Sequence, residues 1–196
     1  MGAGQFQSTT IREHLMTTST DTALKTWKID PTHSQVEFAA KHMMITTVKG
    51  SLTAMEGMIT LDPTDATASS TEVTFEAASI TTRVADRDTH LKSGDFLDVE
   101  QFPTIAFRST AVEGAVDGAF KVVGDLTIKG VTKSVVLDAR FEGQGKDPWG
   151  GERVSFLATG AIDRRDFGLT WNATLETGGV LVSNEIKLTL DVQAVG

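Results

Sequence analysis

Three histidines, His33, His42 and His90, are the side chains of the folded region best suited to hold a metal ion, because three imidazoles bind Zn²⁺ when a fold gathers them. No short ligand spacing joins any two of them, so structural hydrogen bonding is expected and no metal is assigned. Cysteine is absent, which removes thiolate nucleophiles, thiolate metal sites and disulfides together. Arg87, Asp88 and Asp95 could be drawn as an acid/base cluster. They lie among Asp86, Lys92 and Asp98 in a stretch that reads as solvated, so a capped helix with surface ion pairs is expected. Asp166-Phe167-Gly168 matches three letters of a kinase magnesium motif, but no glycine-rich loop or strand lysine accompanies it. A turn at a strand end is expected instead, with Gly168 in an unusual backbone conformation and Phe167 plugging one end of the fold. There is no serine-centred nucleophile elbow. Asn172-Ala173-Thr174 is a glycosylation acceptor only in a secreted chain. No residue is assigned a catalytic role.

The elements that position these residues are strands, because apolar side chains recur at every second position and so share one sheet face. The pattern runs through Val36/Phe38/Ala40, Val73/Phe75/Ala77, Ile105/Phe107 and Phe120/Val122/Gly124/Leu126/Ile128. It returns in Val135/Leu137/Ala139/Phe141, Val154/Phe156/Ala158/Gly160/Ile162 and Ile186/Leu188/Leu190/Val192. Ser51 to Leu61 makes an eighth segment, with two competing phases around Gly57 that a β-bulge would reconcile. Turn residues separate the segments at Asp62-Pro63, Glu113 to Gly118, Lys129-Gly130, Gly143 to Gly151 and Gly178-Gly179, so neighbours pair antiparallel. Arg83 to Val99 breaks the alternation and reads as one or two short helical turns. Eight strands with one apolar face avoid exposed edges by closing into a barrel or stacking as a two-sheet sandwich. The barrel is the more economical.

The inward face carries Phe38, Phe75, Phe107, Phe120, Phe141 and Phe156, and rings of this kind also build ordinary cores. Small residues on the same faces, among them Ala40, Gly124, Ala158 and Gly160, are expected to leave room for a guest. Counting by twos from Val36 places His42 near one end of this lumen. There it would meet a polar head group or be satisfied by a neighbouring carbonyl or carboxylate.

Composition narrows the partners. A formal net charge of -8 disfavours nucleic acid and anionic membrane surfaces, which call for clustered Lys and Arg. No run approaches the ~20 apolar residues that span a bilayer, so no integral membrane segment is expected. Residues 1–25 are rich in Thr and Ser and read as a flexible leader without the apolar stretch of a signal peptide, which makes the cytoplasm the expected location. Residues 26–196 form the one folded domain.

Four stretches carry a family resemblance. They are Trp27 to Ser34 (Trp-Lys-Ile-Asp-Pro-Thr-His-Ser) followed by Phe38 and His42, Arg87 to Asp98 running on to Phe107, Gly124 to Lys133, and Arg165-Asp166-Phe167-Gly168-Leu169. Together, in order over residues 27–195, they resemble the YceI-like family. The resemblance implies an all-β, eight-stranded antiparallel lipocalin-like barrel with one or two short helical segments. Its elongated lumen would bind a polyisoprenoid, isoprenoid quinone or similar amphiphile. Members of the family are often dimers, so a homodimer is a further expectation, and many carry an export signal that this sequence lacks. The lumen is expected to be lined by Phe38, Ala40, Phe75, Phe107, Phe120, Leu126, Phe141, Phe156, Ala158, Ile162 and Leu188. The long-chain molecule is then the ligand and no cofactor is needed. An enzyme acting on such a lipid, or a barrel filled by its own side chains, are the alternatives.

Overall fold

The computed structural model describes residues 24–62, 64–115, 118–176 and 179–196. The leader expected for residues 1–25 therefore lies, through residue 23, outside the described residues, as do Pro63, Asp117 and Gly178 of the expected turns. Lys25 already belongs to a strand.

Among the described residues eleven strands occur: β1 (Lys25–Ile29), β2 (Gln35–His42), β3 (Thr46–Leu52), β4 (Met55–Leu61), β5 (Ser70–Glu76), β6 (Ile80–Thr81), β7 (Thr104–Gly114), β8 (Ala119–Ile128), β9 (Val131–Lys146), β10 (Glu152–Asp163) and β11 (Val182–Val195). One helix, α1 (Ala85–Lys92), lies between β6 and β7, where helical turns were expected. It is too short to cross a membrane, and no other α-helix is found among the described residues.

Eight of the strands close on themselves in the order β1-β4-β5-β7-β8-β9-β10-β11, with β1 returning to β11. Every pairing is antiparallel, which makes the fold an eight-stranded barrel rather than a sandwich. Closure removes the free edges of the ring. β11 is shared: its C-terminal residues Ala194 and Val195 pair with β1, while Val182 to Asp191 pair with β2. From β2 the sheet branches outward through β3 to the two-residue β6, which pairs only with Ser51 and Leu52 of β3. Residues of the branch and α1 line the interior toward one end of the barrel, and residues of β1 and β4 line it toward the other.

Two local expectations need correction. Ser51 to Leu61 is two strands with a break at Thr53-Ala54, and Gly57 sits in regular register opposite Val73 without a bulge. The break is enforced by hydrogen bonds to the β5–β6 corner, where Thr53 N donates to Ser79 Oγ and Glu76 N donates to Ala54 O. β3 follows β2 and β4 follows β1, so the two competing apolar phases belong to two different walls. The second correction concerns Arg83 to Val99, which is solvated along much of α1 but not throughout. Phe96 and Leu97 are buried, and Leu91 packs on the same core. Asp88 reaches back to accept from Thr81 Oγ1 and Thr82 Oγ1, and Arg87 Nε donates to Thr82 Oγ1, whereas Asp95 lies 3.0 Å from His90 at the surface and no side chain caps the start of α1.

Ordinary turn chemistry joins the strands. Lys129-Gly130 links β8 to β9 with both residues at positive φ (48° and 73°), the two-residue turn whose twist matches a hairpin. After β10, Asp163 accepts from Arg165 N to start a 3₁₀ turn, and Gly168 ends it in the left-handed region at φ 75°. Phe167 is thereby turned into the core, only 1% exposed, as the motif Asp166-Phe167-Gly168 predicts.

At the bend between β1 and β2, Asp30 accepts from Thr32 Oγ1, His33 Nδ1 and Arg153 Nη1, while Arg153 also donates to Asp147 and Gln193. The Thr32 hydroxyl, followed by His33 and Arg153, holds the Asp30 carboxyl far below its ordinary value of 3.8. Because the folded value is depressed, the stabilisation is complete above the ordinary value and is lost as pH falls through the folded one. Asp30→Asn is expected to cost about 1–2 kcal/mol at neutral pH. Thermal denaturation of both proteins from pH 7 to pH 2 checks this, since the gap in melting temperature should narrow only on the acid side of pH 4.

Candidate functional site

The barrel encloses a cavity of about 370 Å³ toward the end lined by β2, β3, β6 and α1. That volume falls in the roughly 300–1,000 Å³ range of sites that bury small organic ligands. Its wall is formed by the inward residues of nearly every strand, because the period-2 pattern continues around a closed ring. Phe38, Ala40, Phe75, Phe107, Leu126, Ile162 and Leu188 from the expected lumen set all line it. A second cavity of about 100 Å³ lies toward the β1–β4 end and is lined by Phe120, Phe156 and Ala158, with Ile29 and Ile59. Phe141 lines neither: it packs beside Phe156, ring centroids 5.7 Å apart, on the cluster around Trp27, Val154 and Ala194. The assignment of Phe141 to the lumen is corrected accordingly, the reason being that its ring packs against this cluster and borders neither cavity.

Val73, Phe107, Leu137 and Leu190 line both cavities and form the layer between them. The glycines on the inner face make room for neighbouring groups rather than leaving empty space. A Cβ on Gly124 would lie 2.4 Å from the Phe107 ring and 2.6 Å from the Arg108 carbonyl oxygen, and one on Gly50 2.4 Å from the Phe38 ring and 2.8 Å from the Thr81 carbonyl oxygen. Gly160 similarly makes room for Leu137. Ala40 and Ala158, by contrast, do border open volume. Gly124→Ala should therefore destabilise the fold by ~1–3 kcal/mol, the usual cost of overpacking. Denaturant unfolding would show it, and Phe107→Leu in the same chain should recover only part of the loss, because the added Cβ also lies 2.6 Å from the Arg108 carbonyl oxygen.

The polar residues on the main cavity are Lys41, His42, Thr82, Arg87, His90 and Arg164, of which Lys41 lies between the inward Ala40 and His42 and is exposed. His42 ends β2 opposite Val182 and Thr46, on the inner face where the alternation places it. His90 stands edge-on to Trp171 and Phe96, ring centroids 4.6 Å and 5.0 Å away, and contacts Asp95 Oδ2 at 3.0 Å. His33 lies with Asp30 at the β1–β2 bend. Among the described residues no three His, Asp or Glu side chains gather as a metal site.

Arg164 is the residue the sequence conceals. It sits in the run Asp163-Arg164-Arg165-Asp166, which reads as surface, yet it is 3% exposed. Its guanidinium donates to the carbonyls of Ser183, Leu169 and Trp171 and reaches Asn184 Oδ1. Burial pushes its pKa below the usual arginine value. The following segment is tied down by Asn172, whose amide donates to Val182 O and accepts from Val182 N and Ala173 N. The sequon asparagine thus works as an internal clamp. No signal in the linear sequence separates Arg164 from Arg165, because the 3₁₀ turn after β10 decides which of them points inward.

This barrel, with its branch sheet and single short helix, can be set beside known proteins. A family model described as the YceI-like domain matches residues 27–194. The chain belongs to the YceI-like domain family. A UPF0312 protein of Yersinia enterocolitica is 39% identical over 183 residues, which cover 92% of each chain. The crystal structure of a Campylobacter jejuni YCEI protein is 34% identical and superposes with a TM-score of 0.69, covering 80% of this chain and 89% of that one. A polyisoprenoid binding domain from Saccharophagus degradans shares the fold at 13% identity, with a TM-score of 0.63 over 87% of this chain and 98% of that one. The YceI-like assignment accounts for the four sequence stretches at once. Trp27 to Ser34 builds β1 and the bend, Arg87 to Phe107 builds α1 and β7, Gly124 to Lys133 builds the β8–β9 hairpin, and Arg165 to Leu169 builds the turn over the cavity.

Proposed function

We propose that this YceI-like barrel binds a long apolar amphiphile, an isoprenoid or isoprenoid quinone, in its main cavity, and sequesters or carries it without chemical change. The observation that supports this most directly is the cavity itself. It has about 370 Å³ of volume, and only six of its lining residues are polar. Each buried CH₂ contributes ~0.8 kcal/mol, so one five-carbon unit contributes on the order of 3–4 kcal/mol before ordering costs. A few units therefore suffice for tight binding without a catalytic apparatus. The Saccharophagus degradans domain of the same fold is described as a polyisoprenoid binding domain, which is consistent with this chemistry. A carrier of this kind acts as a single folded domain over residues 26–196, and the cytoplasm is its proposed location.

The test is organic extraction of the purified protein followed by mass spectrometry. The expected result is one long-chain apolar species in near-stoichiometric amount. An extract without such a species, together with no uptake of added prenyl quinone by the stripped protein, would overturn the reading.

A further inference from the structure

We propose that the tip of the β2–β3 hairpin, Met43-Met44-Ile45, is a docking element that enters the surface of a lipid bilayer and brings the adjoining main cavity to it. The inference rests on the carrier reading and adds to it the place where an apolar cargo is taken up and released. The three side chains are 41%, 63% and 74% exposed, and among the described residues no other run of three large apolar side chains is exposed. Exposed apolar residues scattered singly need no explanation, whereas a contiguous group at a loop tip marks a contact surface.

Turn formation does not account for these residues. Ile45 N donates to His42 O, which closes a turn whose central residues, Met43 and Met44, both have positive φ, 52° and 59°. Turns with that backbone favour Asn and Gly, and the β8–β9 hairpin uses Lys129-Gly130 in the same role. Two adjacent methionines in the left-handed region carry strain, and strain of this kind collects at functional segments. What the methionines supply in return is apolar surface on unbranched, adaptable side chains.

The tip is fixed against the cavity wall. Ala40 and His42 of β2 and Val48 of β3 line the main cavity, while Met43, Met44 and Ile45 contribute nothing to its lining. Met43 N donates to Leu181 O, and Leu181 and Val182 line the same cavity.

The chemistry of the tip fits lipid rather than protein. It carries none of the Trp, Tyr and Arg side chains that dominate protein–protein contacts. Two of its three backbone N–H groups are bonded, to Leu181 O and His42 O, so entry into an apolar layer leaves little backbone unsatisfied. The segment from Lys41 to Lys49 holds Lys41, His42 and Lys49 but no carboxylate, and both lysines are exposed. Among the described residues their one ion-pair partner is Glu37 of β2, 4.0 Å from Lys49. The lysine ammonium groups can therefore stay at the level of the lipid phosphates while the tip enters the acyl layer. In a chain of formal net charge -8, this local excess of cations selects the face that approaches a bilayer. An isoprenoid cargo dissolves in a bilayer and not in water, so loading at a lipid surface spares it the aqueous step.

Co-flotation with vesicles of equal parts phosphatidylcholine and phosphatidylglycerol tests the surface directly. The parent chain is expected to bind. The double variant Met43→Asn, Met44→Gly, whose new residues suit the turn, is expected to bind at least tenfold more weakly with a melting temperature no lower than the parent's. Ile45→Ser, which keeps both turn residues, should lose binding similarly. Transfer of a fluorescent farnesyl probe from the vesicles to the protein should slow about tenfold in both variants, while affinity for the probe added in solution stays at the parent's value. Absence of vesicle binding by the parent, or equal binding by all three proteins, overturns the docking surface and leaves the carrier reading intact. A parent dimer that both variants convert to monomer in sedimentation, with vesicle binding unchanged, also overturns it, because the tip would then cover a second copy of the chain. A parent chain that takes up no probe from solution, yet binds vesicles through the hairpin, overturns the carrier reading while the docking surface stands.

Discussion

Ala40→Trp should abolish uptake of a prenyl chain while leaving the barrel folded. Ala40 lies on β2 between Phe38 and His42, borders the main cavity, and is paired with Val48 on one side and Ile186 on the other. An indole placed there displaces at least one isoprene unit, worth ~3–4 kcal/mol, so affinity should fall by a hundredfold or more. Overpacking costs ~1–3 kcal/mol against a total stability of about 5–15 kcal/mol, so the native state should survive. Thr159→Trp is the control, because Thr159 is exposed on the outer face of β10 beside the inward Ala158. Titration with a fluorescent prenyl probe distinguishes the cases. Wild-type affinity in folded Ala40→Trp protein would show that the chain does not occupy this cavity.

The largest loss of stability is expected from Phe167→Ala. Phe167 is 1% exposed and packs in the main core cluster with Leu97, Ile128 and Leu169, where the 3₁₀ turn after β10 lies against the inner face. Truncating a buried phenylalanine typically costs ~3–5 kcal/mol through lost burial and the cavity left behind. For a chain of this size that corresponds to a fall in melting temperature of roughly 6–20 °C. Phe167→Leu, which keeps most of the volume, should lose less than half as much. A shift of only 2 °C in Phe167→Ala would mean that the turn is not anchored through this ring.

The strand phases, the turn at Lys129-Gly130 and the helical interruption after Arg83 were all legible in the chain. Each is a local property: alternation at period two, turn residues at strand ends, a gap in β-branched density. The inward set from Phe38 to Leu188 follows from the same alternation, and so does the position of His42. Where linear reasoning failed, the deciding contact came from far along the chain. The bulge expected at Gly57 gave way to a break at Thr53-Ala54 because Ser79 and Glu76 hold that corner. Gly124 looked like empty space from its own strand, yet it accommodates Phe107 from the neighbouring one.

What the sequence by itself determined was the kind of wall: antiparallel strands, apolar inside and wet outside, joined by short turns, with no cysteine chemistry available. What only the tertiary structure decided was where the wall is left open and what charge faces the opening. Closure through β1 and β11 fixes which inward residues line the β1–β4 end and which border the larger cavity. The turn after β10 chooses between Arg164 and Arg165, two adjacent arginines in one charged run, and buries the first among backbone carbonyls. The physical reason is that side-chain direction along a strand repeats every two residues and can be counted. The direction of a residue in an irregular turn is set instead by hydrogen bonds to segments distant in sequence.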